Sequence, residues 1–150
     1  MNLKMTGSEI IDTNSLNLWE ALLDANVLKD CIPGCEDMIE VNESEYNLKL
    51  NLKVGAVGGS FEGLIKLTEL NKPKSCKLNL SGGGSLGNGK GIAKITIEEK
   101  SPNSCILIYE AEGNVGGLVA GVGQRVTLGV AKHLAKKFFS SLKKPFKIQS

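Results

Sequence analysis

Through the first two thirds of the chain, apolar and polar residues mostly alternate; the rhythm then lengthens. Tyr46, Leu48, Leu50, Leu52 and Val54 alternate with Asn47, Lys49, Asn51 and Lys53, the period of a strand with one buried and one wet face. Similar runs follow: Phe61 to Leu67 after Gly58-Gly59, Cys76 to Leu80 after Lys72-Pro73-Lys74-Ser75, Ile92 to Ile97 after a glycine stretch, and Cys105 to Val115 after Ser101-Pro102-Asn103-Ser104. Turn residues at this spacing predict an antiparallel meander of about six strands over 37–115. An earlier strand, Leu3 to Ile11, is less regular. It leads into Asp12-Thr13-Asn14-Ser15, four helix N-cap types in a row. Leu18, Trp19, Leu22 and Leu23 then have helical spacing within Leu16–Leu23, and a second short helix over Ala25–Asp30 stops before Pro33-Gly34. After Gly116-Gly117 the period predicts one long helix, Leu118 to Leu142, ended by Pro145.

This order predicts an α+β fold: a curved antiparallel sheet of about seven strands, two short helices after strand one, and a long C-terminal helix on one face. At 150 residues the chain is expected to form one domain, 1–150, with a short basic tail, 143–150. A curved sheet gripping a helix leaves space between them, a natural apolar ligand site. Trp19, Ile32, Phe61, Val119, Val122, Val126 and Val130 are the candidates to line or close it, although each equally suits plain core packing. Gly121, Gly123 and Gly129 each cost a helix roughly 1 kcal/mol relative to alanine, so the helix start should be soft or should need close approach.

Charge divides the chain. The net +2 is made of a first part, residues 1–112, that carries every acid, and a last part, 113–150, that carries none. Arg125, Lys132, Lys136 and Lys143 draw one line along the predicted helix. Such a line suits an anionic surface, whether lipid headgroups, an acidic protein or nucleic acid; it also suits the solvated face of a core-covering helix. Nucleic acid fits less well, because Phe138, Phe139 and Phe146 are the only aromatics nearby and none interleaves with the cations. No apolar run is long enough to span a bilayer, and Met1 to Thr6 lack an apolar signal region. The expected location is therefore cytoplasmic, with Cys31, Cys35, Cys76 and Cys105 reduced.

Several motifs carry no chemistry. Gly82-Gly83-Gly84-Ser85-Leu86-Gly87 has a G-x-G-x-x-G pattern, and Gly84 to Lys90 fits G-x-x-x-x-G-K. A phosphate cradle needs a helix next, whereas Ile92-Ala93-Lys94-Ile95-Thr96-Ile97 alternates as a strand. Cys31-Ile32-Pro33-Gly34-Cys35 lacks two further zinc ligands and is not C-x-x-C. His133 is the sole histidine, and Glu110 and Glu112 share a strand face as solvated carboxylates usually do. No catalytic set and no metal site emerges.

The residues nevertheless resemble a known family. Lys4-Met5-Thr6-Gly7, Trp19, Val27-Leu28 and the specific run Cys31-Ile32-Pro33-Gly34-Cys35-Glu36 are similar to the CoxG family of carbon monoxide dehydrogenase subunits. So are Tyr46, Lys53-Val54-Gly55, Phe61 with Gly63, Gly91 with Ala93, Tyr109, Val115-Gly116-Gly117, Gly123 with Arg125, Ala131-Lys132 and Phe138-Phe139. The resemblance implies the helix-grip fold of the START-like (SRPBCC) superfamily, which mostly binds lipophilic molecules between sheet and helix. It also implies association with a molybdenum-containing carbon monoxide dehydrogenase or related molybdenum hydroxylase, and attachment of that enzyme to the inner face of the cell membrane.

The expectation is thus a non-enzymatic carrier of an isoprenoid quinone or lipid, needing no other cofactor, with Arg125, Lys132, Lys136 and Lys143 facing lipid or the dehydrogenase. A ligand-free adaptor or assembly factor is the alternative. An enzyme of the polyketide-cyclase kind would need polar groups converging in the cavity. Family members often continue into a linker or membrane-seeking tail. Here the chain stops eight residues after Leu142, so membrane contact is expected from the basic helix and from Lys143 to Lys147, weak and reversible at about 1 kcal/mol per lysine.

Overall fold

The computed structural model describes residues 1–146. Strand β1 (Asn2–Ile11) is followed by helices α1 (Ser15–Leu22) and α2 (Ala25–Cys31). Six strands come next: β2 (Cys35–Asn42), β3 (Glu45–Val54), β4 (Val57–Asn71), β5 (Ser75–Gly84), β6 (Gly87–Ser101) and β7 (Ser104–Gly116). The chain then forms a one-turn helix α3 (Leu118–Gly121), helix α4 (Gln124–Lys143) and a 3₁₀ turn over Lys144–Phe146. Of the predicted basic tail, 143–150, residues 147–150 lie outside the described residues.

The seven strands form one antiparallel sheet in the order β1-β7-β6-β5-β4-β3-β2. The two short helices carry the chain from one sheet edge to the other, and successive hairpins bring it back to β1. Their starts follow cap chemistry: the Asn14 carboxamide oxygen accepts from the Asn17 N–H at 2.8 Å, and the Asp24 carboxylate accepts from the Asn26 N–H at 2.9 Å. In the Cys31–Cys35 run, Gly34 adopts φ +76° and its carbonyl accepts from the Asn51 N–H at 3.0 Å, tying the α2–β2 corner to β3.

Two predicted features shift. The β3–β4 hairpin turns at Gly55-Ala56, not at Gly58-Gly59, which lie within β4. Gly59 is needed for close approach instead: a Cβ there would stand 2.8 Å from the Ser85 hydroxyl. More consequentially, the long helix is not continuous. Gly123, at φ +94°, separates α3 from α4, and the break resets which residues face the sheet.

The main core lies between the concave face of the sheet and α1, α2 and α4, with Leu18, Trp19, Tyr46, Leu107 and Leu142 deeply buried. The Tyr46 hydroxyl donates to the Leu23 carbonyl at 2.5 Å, so its burial leaves no orphan donor. A satellite cluster of Val54, Leu86 and Val119 sits where α3 meets the β3–β4 and β5–β6 hairpins.

Candidate functional site: an apolar cavity under helix α4

Between the sheet and α4 lies a cavity of about 380 Å³. Its floor is the inward face of the strands: Leu48, Leu50 and Leu52 of β3, Phe61, Ile65 and Leu67 of β4, Leu78 and Leu80 of β5, and Ala93, Ile95, Leu107 and Ala111 of β6 and β7. Leu22, Leu23 and Leu28 of the short helices, with Ile32 and Pro33 of the following loop, form one wall. The roof is a helical stripe on α4: Ala131, Leu134, Ala135, Phe138 and Phe139. Alanines at 93, 111, 131 and 135 face inward where larger aliphatics would otherwise meet, and that leaves the space. Larger depressions occur elsewhere, but one of about 870 Å³, bordered by Glu69, Lys74, Lys77 and Lys94, is an open trough lined by charges.

Polar chemistry in the cavity is sparse. Among its described lining residues, Tyr109 carries the one hydroxyl and Cys76 the one thiol. Gly7 on β1 makes room for the Tyr109 ring, since a Cβ there would stand 2.5 Å from the phenol oxygen. The ring is also stacked on Phe139, with centroids 5.2 Å apart. Burial, and secondarily the Glu9 carboxylate, raise the Tyr109 pKa, so the phenol is a neutral hydrogen-bonding group at ordinary pH. Burial pushes the Cys76 thiol up to about 11. A wall of this kind suits a largely hydrocarbon ligand with one hydrogen-bonding group.

The sequence-predicted residues divide. Ile32 and Phe61 line the cavity. Trp19, on α1, does not: it is 3% exposed and packs in the main core. Val119 belongs to the satellite cluster, against which Val122 and Val130 pack, and Val126 is 43% exposed. The reason is helix phase. The Thr127 hydroxyl donates towards the carbonyls of Gly123 (2.8 Å) and Val119 (3.2 Å), which turns Thr127 inward and Val126 outward. The stripe over the cavity therefore runs through Ala131, Leu134, Ala135 and Phe138, alanines that hydropathy passes over in favour of valines.

The predicted basic line also divides. Arg125, Lys132 and Lys136 are exposed. Lys143 instead pairs with Glu9, Nζ to Oε2 at 2.6 Å, and pins the end of α4 to β1. His133 is exposed. Cys31, Cys76 and Cys105 are buried free thiols, and Cys35, partly exposed, donates to the Asp37 carbonyl at 3.3 Å. Among the described residues no three His, Cys, Asp or Glu side chains gather as metal ligands, and no helix is long and apolar enough to cross a membrane.

Known proteins resemble the chain at two levels. The sequence profile of the CoxG subunit of carbon monoxide dehydrogenase matches residues 7–146. A conserved protein from Geobacillus kaustophilus superposes with a TM-score of 0.90 at 30% identity, over 96% of this chain and 95% of that one. More distant structures share the fold. The Zhui aromatase/cyclase from Streptomyces sp. R1128 has a TM-score of 0.74 at 9% identity, covering 97% of this chain and 94% of its own. A START superfamily protein from Mycobacterium smegmatis has a TM-score of 0.72 at 11% identity, covering 95% and 96%. No curated protein sequence matches.

Proposed function

The chain belongs to the CoxG family of carbon monoxide dehydrogenase subunits, and from that premise we propose that it is a non-enzymatic carrier of an isoprenoid quinone or similar lipid. It would serve a molybdenum-containing carbon monoxide dehydrogenase-type enzyme at the inner face of the cell membrane. The observation that carries the reading is the cavity: about 380 Å³ of space walled by leucine, isoleucine, alanine and phenylalanine, with Tyr109 as its one described hydroxyl. Burying the ligand's hydrocarbon is the driving force, at about 25 cal/mol per Å² of apolar surface removed from water. The Tyr109 phenol, free to donate or accept, would engage a carbonyl or hydroxyl on the ligand head.

A cyclase-like enzyme shares the fold, as the Streptomyces aromatase/cyclase illustrates, but likeness at 9% identity speaks to architecture alone. The family name favours a second reading, a ligand-free adaptor of the dehydrogenase.

The two readings separate in a transfer assay. Donor vesicles carry a quinone whose arrival in acceptor vesicles is followed by chemical reduction. A carrier accelerates transfer in proportion to its concentration, and Leu134→Trp, which puts an indole into the roof, removes the acceleration. No acceleration by the unmodified chain would refute the carrier and leave the adaptor.

A further inference from the structure

We propose that the glycine-rich end of the molecule, where α3 meets the β3–β4 and β5–β6 hairpins, is the surface that seats on an anionic phospholipid bilayer; this rests on the carrier reading above. The end is built by contacts among distant segments. The Val119 N–H donates to the Leu86 carbonyl at 2.9 Å, Gln124 Nε2 donates to the Asn2 carbonyl at 3.0 Å, and the Met1 ammonium donates to the Val115 carbonyl at 3.2 Å. A Cβ on Gly55 would touch Val126 at 3.4 Å, so the β3–β4 turn abuts the first turn of α4.

Two features coincide at this end. The first is charge. The segments that build it, 1–3, 52–60, 83–90 and 114–127, contain no Asp or Glu, and Lys53, Lys90 and Arg125 are exposed on them. Acids come next along the strands: Glu112 shares a surface depression with Lys90, and Glu36 accepts a hydrogen bond from Asn51. A local excess of cations at the hairpin tips is attracted to phosphatidylglycerol-like headgroups. The second feature is exposed apolar surface at the same end: Leu118 is 61% exposed and Val126 43% exposed. Exposed aliphatics on the same end as cations suit an interfacial contact, in which the aliphatics enter the acyl boundary and the cations meet phosphate.

The position has a consequence for loading. The satellite cluster of Val54, Leu86 and Val119 lies at this end, and Leu52 both lines the cavity and packs on the cluster. The cluster therefore adjoins the cavity towards the docking tip. Leu118 and Val119 are neighbours on α3, so lipid contact at Leu118 falls beside the residue that packs into this cluster.

The test is co-sedimentation of the full chain with phosphatidylcholine vesicles with and without phosphatidylglycerol. Binding should require phosphatidylglycerol and weaken with salt. Leu118→Asp and Lys53→Glu should each lower it roughly tenfold or more, while Lys72→Glu, on the turn at the opposite end, leaves it unchanged. All three positions are exposed, so folding survives, and unchanged thermal unfolding verifies this. Vesicle binding that ignores Leu118 and Lys53, or that falls equally with Lys72→Glu, would overturn the proposal. Each protein is also loaded with quinone from detergent micelles. Failure of the unmodified chain to load there counts against the carrier reading, whereas normal loading with misplaced vesicle binding counts against this docking end alone.

Discussion

Ala93, Ala111, Ala131 and Ala135 leave the space beneath α4, and small side chains around a void make a specific prediction. Ala135→Leu fills unoccupied space; it should raise stability by about 0.5–2 kcal/mol and at the same time weaken ligand binding, read by chemical denaturation and by lipid uptake on the same protein. Lower stability together with unchanged uptake would mean that the roof is already close-packed. Cys76 reports the same wall through pH. Burial raises its pKa from about 9 to about 11, so the folded state holds the thiol proton more tightly than the unfolded state does. That support is present below pH 9 and lost as pH climbs from about 9 to about 11. Cys76→Ala should therefore flatten the alkaline fall in stability across that window. An unchanged profile would place the alkaline sensitivity elsewhere.

At the scale of elements, the decisive position is Gly123. Its φ of +94° ends α3 and starts α4 in a new phase, and an L side chain there is strained. Gly129 lies inside α4 in open space, where a Cβ would meet no described atom within 4 Å. The two glycines should respond oppositely: Gly129→Ala stabilises by about 0.5–1 kcal/mol, and Gly123→Ala destabilises, both measured by urea unfolding. Equal effects would deny the break its structural role. The same pair explains what sequence can and cannot convey. Alternation at 46–54 and the turn residues at 72–75 and 101–104 disclose the strands, because strand period and turn chemistry are local. The α3–α4 break is not visible in the sequence, since a glycine in a helical run reads as a soft spot until its φ is known. Phase is lost with it, and hydropathy then favours the valines at 119, 122, 126 and 130 over the alanine stripe. Ile32 and Phe61 are legible because a loop beside Pro-Gly punctuation and an inward strand position do not depend on that phase. Hydropathy also gives no hint that Lys143 pairs with Glu9, a contact across 134 residues.

Over the whole molecule, three properties coincide: an apolar cavity beneath α4, a satellite cluster towards one end that shares Leu52 with it, and hairpin tips without acids beside exposed aliphatics at that end. A carrier needs an interior for its cargo and a reversible contact with the membrane that supplies it, and a few lysines at about 1 kcal/mol each provide attraction without permanent anchoring. The central claim is that the cavity holds a lipophile. The most direct measurement is native mass spectrometry of the chain after incubation with quinone-loaded vesicles, beside Leu134→Trp treated identically. The account predicts one quinone per chain on the unmodified protein and none on the variant, with both folded. A clean unliganded mass for the unmodified chain, or an adduct that survives in Leu134→Trp, would contradict it.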